Sequence, residues 1–302
     1  MTALIITHGD VDGMTCAAQL IRREHGDYRV RYSNARWIAG KLRAALTYSP
    51  ARVYVTDIPA DEQAVEAVQE LSEAGVEVFW IDHHPWDDGL IERLQRLCAH
   101  VEHKEALSTP AGVLLGAWLD DTYCRQIANI CYASEKGTEW ERNWFRLLSS
   151  YTAKCWDDVL ERLAYDQPFT SDDLRRIGTQ IEYEELAERV LAEKPHVMHT
   201  ASGAQLAVYD MSANPGVYLG KKVFAHHPVD YCLIRISAHK WQIATNPRAR
   251  LDMSNLVGFH ERNGLQIRVG GRPSRLLSLE VGRESTPPNA HEEITSFASE
   301  RL

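Results

Sequence analysis

Short apolar runs alternate along the first third of the chain with stretches in which apolar residues recur every three or four positions. Ala3–Thr7 is a compact apolar run ending at a polar turn, and Met14–Arg23 follows with helical spacing. The pattern then repeats. Arg29–Tyr32, Arg52–Thr56, Val76–Ile81 and Ala99–Glu102 read as strands. Trp37–Leu46, Asp61–Glu73, Asp88–Leu97 and Ala111–Leu119 read as helices, with Gly75 as a stop signal after the second of these. Strands alternating with helices require crossover connections and a parallel sheet, so this part is an α/β domain. In such sheets ligands bind beyond the carboxyl ends of the strands, which directs attention to the polar residues just after each apolar run.

Further along, residues 139–165 are Trp-rich and helical in pattern. Thr170 or Ser171 caps a predicted helix running to about Glu193, with Pro195 beyond it. After it come LAVYD, YCLIRIS, WQIAT and LQIRV, separated by turn residues, which predict a smaller α/β or β-rich domain. The division expected is 1–168 for the first domain, 169–199 for a connector helix and 200–302 for the second. Ser285–Ala290 is expected to start a tail that adds nothing to the core.

Composition narrows the function classes. The 302 residues are 44% hydrophobic and 25% charged, ordinary for a globular protein. No apolar run approaches the roughly 20 residues of a membrane span, and the N-terminus lacks the basic start of a secretory signal. Cys16, Cys98, Cys124, Cys131, Cys155 and Cys232 are irregularly spaced with no CxxC pair, which predicts reduced thiols and a cytoplasmic protein. The net charge of −9 argues against long duplex nucleic acid, whose binding is built on Lys and Arg. Residues 200–302 hold 12 Lys and Arg against 9 Asp and Glu, so the acidity lies in the first two thirds. An acidic front can gather cations, and a mildly basic back can grip a small anion.

The polar residues at the strand ends carry the chemistry. After the first run come His8, Asp10 and Asp12 in THGDVDG, on a turn expected to be made flexible by Gly9 and Gly13. A calcium loop starting at Asp10 would need Glu at its twelfth position, which is Ile21. Asp57 follows the third run and Asp82-His83-His84 the fourth. Each alone reads as a helix cap or turn: Asp10 or Asp12 before the first helix, Asp57 before the helix after Pro59. Three such clusters at one sheet edge are hard to assign to capping. Together they offer imidazole nitrogen and carboxylate oxygen with no thiolate, a donor set for Mn²⁺, Mg²⁺, Fe²⁺ or Zn²⁺ in a catalytic site. The donor count also fits two ions sharing a bridging carboxylate.

These residues resemble the DHH phosphoesterase family. THGDVDG is similar to its first motif, Asp57 in VTD to its second and Asp82-His83-His84 to its third, and RYSNA, VTDIPADE and VFWIDHHPW look closest to the nano-RNase branch. The resemblance covers most of the chain. It implies two divalent cations, Mn²⁺ or Mg²⁺. His8, Asp10 and Asp57 would hold one, and Asp12, Asp57 and His83 the other. His84 would meet substrate phosphate, and Asp82 would orient a ligand. The family's fourth-motif acid is replaced by Ala133 and Ser134, with Glu135 as substitute ligand. Ser108-Thr109 before Pro110 reads as a helix cap, at a helix start that the family places near the site.

The second region resembles the family's associated C-terminal domain through YDMS, DYCLIRIS, the Arg248/Arg250 segment, LDMSNL and Gly270-Gly271. Arg272 stands where the family has a histidine, so Arg248, Arg250, Gly270, Gly271 and Arg272 are the expected substrate contacts. His226-His227-Pro228 reads as a surface turn, and Trp156 and Trp241 as core residues more than base-stacking ones. The implied function is a metal-dependent phosphoesterase in which a water ionised by the metals attacks short single-stranded oligonucleotides or small nucleotide phosphoesters. A homodimer is possible. The alternatives are a cyclic-nucleotide or 3′-phosphoadenosine phosphate phosphoesterase and a degenerate, non-catalytic nucleotide-binding protein.

Overall fold

A computed structural model describes residues 3–302 except 88, 106–108, 134–135, 152–156, 212–218, 247, 249–250, 264, 273–275 and 282–288. The chain forms two units, Met1–Gln180 and Ile181–Leu302.

The first unit is built on five parallel strands, β1 (Ala3–Thr7), β2 (Tyr28–Tyr32), β3 (Arg52–Thr56), β4 (Glu77–Asp82) and β5 (His100–His103), in the order β2-β1-β3-β4-β5. Helices α1 (Val11–Glu24), α2 (Ile38–Ala45), α3 (Glu62–Glu73) and α4 (Leu90–Leu97) supply the crossovers. One face buries Leu4, Ile6, Val53, Val55, Val78 and Trp80 against Ile38 and Leu42 of α2, Val65, Val68 and Leu71 of α3, and Leu94 of α4. On α1 the buried run from Gly13 to Ile21 is unbroken, because α5 (Ala111–Leu119), α6 (Thr122–Asn129), α7 (Glu139–Ser150) and α8 (Asp157–Ala164) pack around it. β1 and β3 are neighbours, yet the chain leaves β1 toward β2 and reaches β3 from the other side. That reversal is the switch point at which the loops after β1 and β3 part to leave a crevice.

The strands fall within a residue or two of the sequence expectation. The periodicity fails to announce α6, and the stretch 139–165 is two helices, α7 and α8. Thr170 does cap the long helix α9 (Ser171–Ala192): its Oγ1 accepts from the Asp173 N–H at 3.2 Å and Asp173 Oδ2 from the Thr170 N–H at 2.8 Å.

Among its described residues the second unit contains seven strands, β6 (His196–His199), β7 (Gln205–Asp210), β8 (Tyr231–Ser237), β9 (Lys240–Thr245), β10 (Gly258–Arg262), β11 (Leu265–Arg272) and β12 (Leu276–Val281). Their order is β10-β11-β12-β9-β8-β7-β6, antiparallel except for the β7–β8 pair. Ala187 and Leu191 of α9 and Val223 of α10 (Leu219–His226) cover one face. The expected tail is corrected here. Ala290–Arg301 forms α11, and Ile294, Phe297 and Ala298 are buried against Leu233, Trp241, Ile243 and Leu279. The Pro-rich stretch hides an apolar stripe that matters only once a sheet is present to receive it.

Candidate metal centre

The centre assembles where β1, β3 and β4 end. Thr7 and Thr56 face each other in register, and the Thr56 hydroxyl donates to Thr7 Oγ1 at 2.8 Å while Thr7 Oγ1 donates to the Gly13 carbonyl at 2.8 Å. These buried hydroxyls lock the first turn of α1 onto the strand ends. Gly13 is therefore not a flexible turn residue: it lies inside α1, and a Cβ there would sit 2.2 Å from the His8 carbonyl oxygen. Asp10 is the N-cap of α1, its Oδ1 accepting from the Gly13 N–H at 3.1 Å. Capping and site-building coincide in this residue, because Oδ2 lies 2.9 Å from His8 Nδ1.

Asp57 follows β3 in the left-handed backbone region, with φ of 57°, and its N–H donates to the Ile81 carbonyl at 3.0 Å. It caps nothing, since Asp61 takes that role for α3 by accepting from the Ala64 N–H at 2.8 Å. Its carboxylate is 2% exposed. Oδ1 lies 3.4 Å from His83 Nε2 and 3.9 Å from His84 Nδ1, and Oδ2 lies 3.7 Å from His8 Nδ1. No hydrogen bond satisfies Oδ2 within the described protein.

Asp82, wholly buried at the end of β4, accepts from three donors: His84 Nδ1 at 2.8 Å, the His84 N–H at 3.2 Å and Trp86 Nε1 at 2.7 Å. The contact at Nδ1 holds the His84 proton there and leaves Nε2 as the basic nitrogen. The His84 carbonyl meets His103 Nε2 at 2.7 Å, and the His103 ring stacks on Trp86 at 4.2 Å. His103, undistinguished in sequence, thus helps fix the turn.

Asp12 lies beside His83 and has further partners that the sequence did not indicate. Its Oδ2 lies 3.6 Å from His83 Nε2, but both oxygens also accept backbone N–H groups at the start of α5, from Ala111 at 2.9 Å and Gly112 at 2.7 Å. Pro110 is the residue at the N-cap position and offers no side-chain cap. An aspartate about a hundred positions away does so, and Thr109 does not; Ser108 lies outside the described residues. Since those two N–H groups are occupied, this helix start is closed to a phosphate. A Cβ at Gly112 would come 2.5 Å from Thr15 Oγ1, so glycine is what allows the approach. Cys131 Sγ reaches Asp12 Oδ1 at 3.5 Å and Thr15 Oγ1 at 3.2 Å. Ala133, where the fourth acid was expected, is buried, and Glu135 lies outside the described residues.

Crowding sets the electrostatics. Burial, then the charges of Asp12 and Asp10, pushes the Asp57 carboxyl up to about 11. Asp12 is raised chiefly by burial, against the two helix N–H groups that lower it. Asp10 goes the other way: burial raises it, but the hydrogen bond and charge of His8 outweigh that and hold it below the ordinary range. A cluster whose buried carboxyl resists ionisation, with one carboxylate oxygen unsatisfied, fits a bound cation that displaces the proton. The donor atoms form two sets, His8–Asp10–Asp57 and Asp57–His83–His84, each within 4.8 Å of one another. Asp57 belongs to both.

Of the other expected residues, Arg248 is exposed, with its N–H on Asn246 Oδ1 at 3.0 Å, and Arg250 lies outside the described residues. Gly270, Gly271 and Arg272 end β11, paired with Ser278, Leu277 and Leu276. Trp241 is buried and donates to His291 Nδ1 at 3.1 Å, as a core residue should. Trp156 lies outside the described residues. His226 is the last residue of α10, so the expected surface turn begins only at His227, whose Nε2 meets the Leu191 carbonyl at 3.3 Å.

Fold and centre together define an α/β protein with a carboxylate–imidazole cluster at the switch point of a parallel sheet. No family model matches the chain, and no curated protein does. Among solved structures it is similar to a DHH-domain protein described as a member of a family of ribosomal proteins, at 14% identity over 98% of this chain and 85% of that one, with a TM-score of 0.54. It is also similar to CDC45 from Entamoeba histolytica (9% identity, 98% and 94% covered, TM-score 0.48). An exopolyphosphatase-related protein from Bacteroides fragilis follows at 12% identity, 98% and 90% covered, with a TM-score of 0.45. The fold is that of a DHH-domain protein.

Proposed function

We propose that this chain is a metal-dependent phosphoesterase that hydrolyses short oligonucleotides or small nucleotide phosphoesters. The observation that carries the reading is Asp57: a buried carboxylate common to two donor sets, with one oxygen unsatisfied and a left-handed backbone that aims it into the crevice. His8, Asp10 and Asp57 would hold one divalent cation, Mn²⁺ or Mg²⁺, and Asp57, His83 and either His84 or Asp12 the other. When bound, such ions supply a water of lowered pKa and positive charge for the phosphoryl oxygens. The chain's own part is to fix geometry. Asp82 keeps the His84 proton on Nδ1, so that Nε2 is presented in a single orientation. Asp12 ties the first turn of α1 to α5, and the hydroxyls of Thr7 and Thr56 hold the strand ends in register. Burial of Asp57 keeps bulk water from competing for its oxygens. Arg248, Arg250 and the Gly270-Gly271-Arg272 segment are the proposed contacts to substrate phosphate in the second unit.

A second reading, a nucleotide-binding protein without turnover, is favoured by one observation: a thiol, Cys131, lies against Asp12, and Ala133 stands where the family has an acid. Titration with Mn²⁺ by calorimetry, followed by product analysis, separates the two. The substrates are di- to pentanucleotides, cyclic nucleotides, 3′-phosphoadenosine phosphate and pyrophosphate. The phosphoesterase reading expects saturable Mn²⁺ binding and Mn²⁺-dependent release of mononucleotide. Binding without release on any substrate leaves the second reading. Absence of Mn²⁺ binding overturns the phosphoesterase reading and favours the second.

A further inference from the structure

Most described tryptophans are buried or half-buried, but Trp37 is 57% exposed. It lies at the carboxyl edge that carries the metal centre. The loop that follows β2 is tied to the end of β1 by the Ser33 N–H, which donates to the Thr7 carbonyl at 2.9 Å, one residue before His8. Asn34 then shapes the turn. Its carbonyl accepts from the Trp37 N–H at 3.0 Å and the Ile38 N–H at 3.1 Å, and its Oδ1 accepts from the Arg36 N–H at 3.1 Å. Behind it Ile38 and Leu42 anchor α2 in the core, so the indole is carried on a rigid base.

The Arg36 guanidinium lies 4.9 Å from the Trp37 ring centroid, a cation–π contact that covers one face of the indole. Asn34, Ala35 and Arg36 are all exposed. An aromatic ring among small, polar and charged neighbours is not itself the kind of apolar patch that makes up the centre of a protein interface. It is a good stacking surface for a planar group joined to a phosphate. On the other flank of the centre, Tyr132 is 40% exposed and follows Cys131, which touches Asp12.

We infer that Trp37, backed by Arg36, stacks a nucleobase of the substrate beside the metal centre, and so selects nucleotide phosphoesters over inorganic and base-free ones. The inference rests on the phosphoesterase reading for its substrate, but its test is separate. The probes are a phosphorothioate-linked diadenylate, which resists hydrolysis, and the same backbone without bases. Binding to the full-length protein with Mn²⁺ is measured for both.

The wild-type protein is expected to prefer the base-bearing probe by about tenfold or more. Trp37→Ala should collapse that ratio toward one, and Trp37→Phe should restore much of it, which a purely structural role would not produce. Equal binding of the two probes by the wild-type protein overturns the inference, as does an unchanged ratio in Trp37→Ala. Should the wild-type protein hydrolyse no phosphoester with Mn²⁺, the proposed activity fails, whatever the ratio.

Discussion

Two buried aspartates in the first unit are handled in opposite ways. Asp173, at the start of α9, is wholly buried and surrounded by donors: Arg162 at 2.9 Å, the Tyr151 hydroxyl at 3.1 Å and the Thr170 N–H at 2.8 Å. Burial raises its pKa, but the Thr170 hydrogen bonds and then Arg162 outweigh this and bring it below the ordinary value. Asp57 is buried to the same degree among groups that compete with it, three of them the aspartates Asp12, Asp10 and Asp82, and keeps an oxygen without a hydrogen-bond partner. Asp173 is a finished ion pair that stabilises α8 against α9. Asp57 is an unfinished one, and a structure that tolerates it at the switch point of a sheet is prepared for a ligand from outside.

The contrast predicts a clean separation of activity from stability. Asp57→Asn keeps the size of the side chain and tolerates the left-handed φ better than alanine would. It is expected to lower Mn²⁺-dependent hydrolysis by about a thousandfold while leaving the metal-free melting temperature unchanged or higher, as scanning calorimetry would show. Near-wild-type turnover removes Asp57 from the centre.

Asp173→Ala should do the reverse. It strands Arg162 without its partner and is expected to cost about 3 kcal/mol in chemical denaturation, with Mn²⁺ affinity of the folded protein unaltered. An unchanged denaturation midpoint would show the pair to be dispensable.

Asp82→Asn is intermediate. It disturbs the orientation of His84 without touching Asp57, and calorimetry should find Mn²⁺ affinity reduced by roughly ten- to a hundredfold. Affinity equal to wild type would deny Asp82 its orienting part.

The smallest effect is on pH dependence, and its sign differs between the two aspartates. The Asp57 carboxyl titrates above its ordinary value of 3.8, so its contribution to stability is complete at acid pH and is lost as pH rises through the window from 3.8 toward about 11. That of Asp173, titrating below 3.8, is present above that value and lost only in stronger acid. Metal-free wild-type protein should therefore lose more stability between pH 5 and pH 9 than Asp57→Asn, and saturating Mn²⁺ should erase the difference. Identical pH profiles of the two metal-free proteins would place the strain elsewhere.

Much of the first unit was legible because local periodicity and burial agree there. β3 and α5 match their expected ranges, and the polar residues after β1, β3 and β4 were recognisable by position alone. α11 was not, since an apolar stripe behind a Pro-rich stretch declares itself only against a sheet. Nor was Trp37, which carries no motif and stands out only through its exposure.

In the first unit the order of residue types along the chain settled which strands form, that they run parallel, and that His8, Asp10, Asp57, Asp82, His83 and His84 lie at one edge, whereas β6, β10 and β12 of the second unit were not read from it. Alternation of short apolar runs with amphipathic helices admits few other arrangements. What each carboxylate does there was a matter of three dimensions. Asp10 caps α1 and also meets His8, Asp12 is drawn to α5 by two backbone N–H groups, Asp82 is satisfied by three donors, and Asp57 keeps an oxygen unmatched. Those partners come from segments far apart in sequence, and hydrogen-bond satisfaction is a property of neighbours in space.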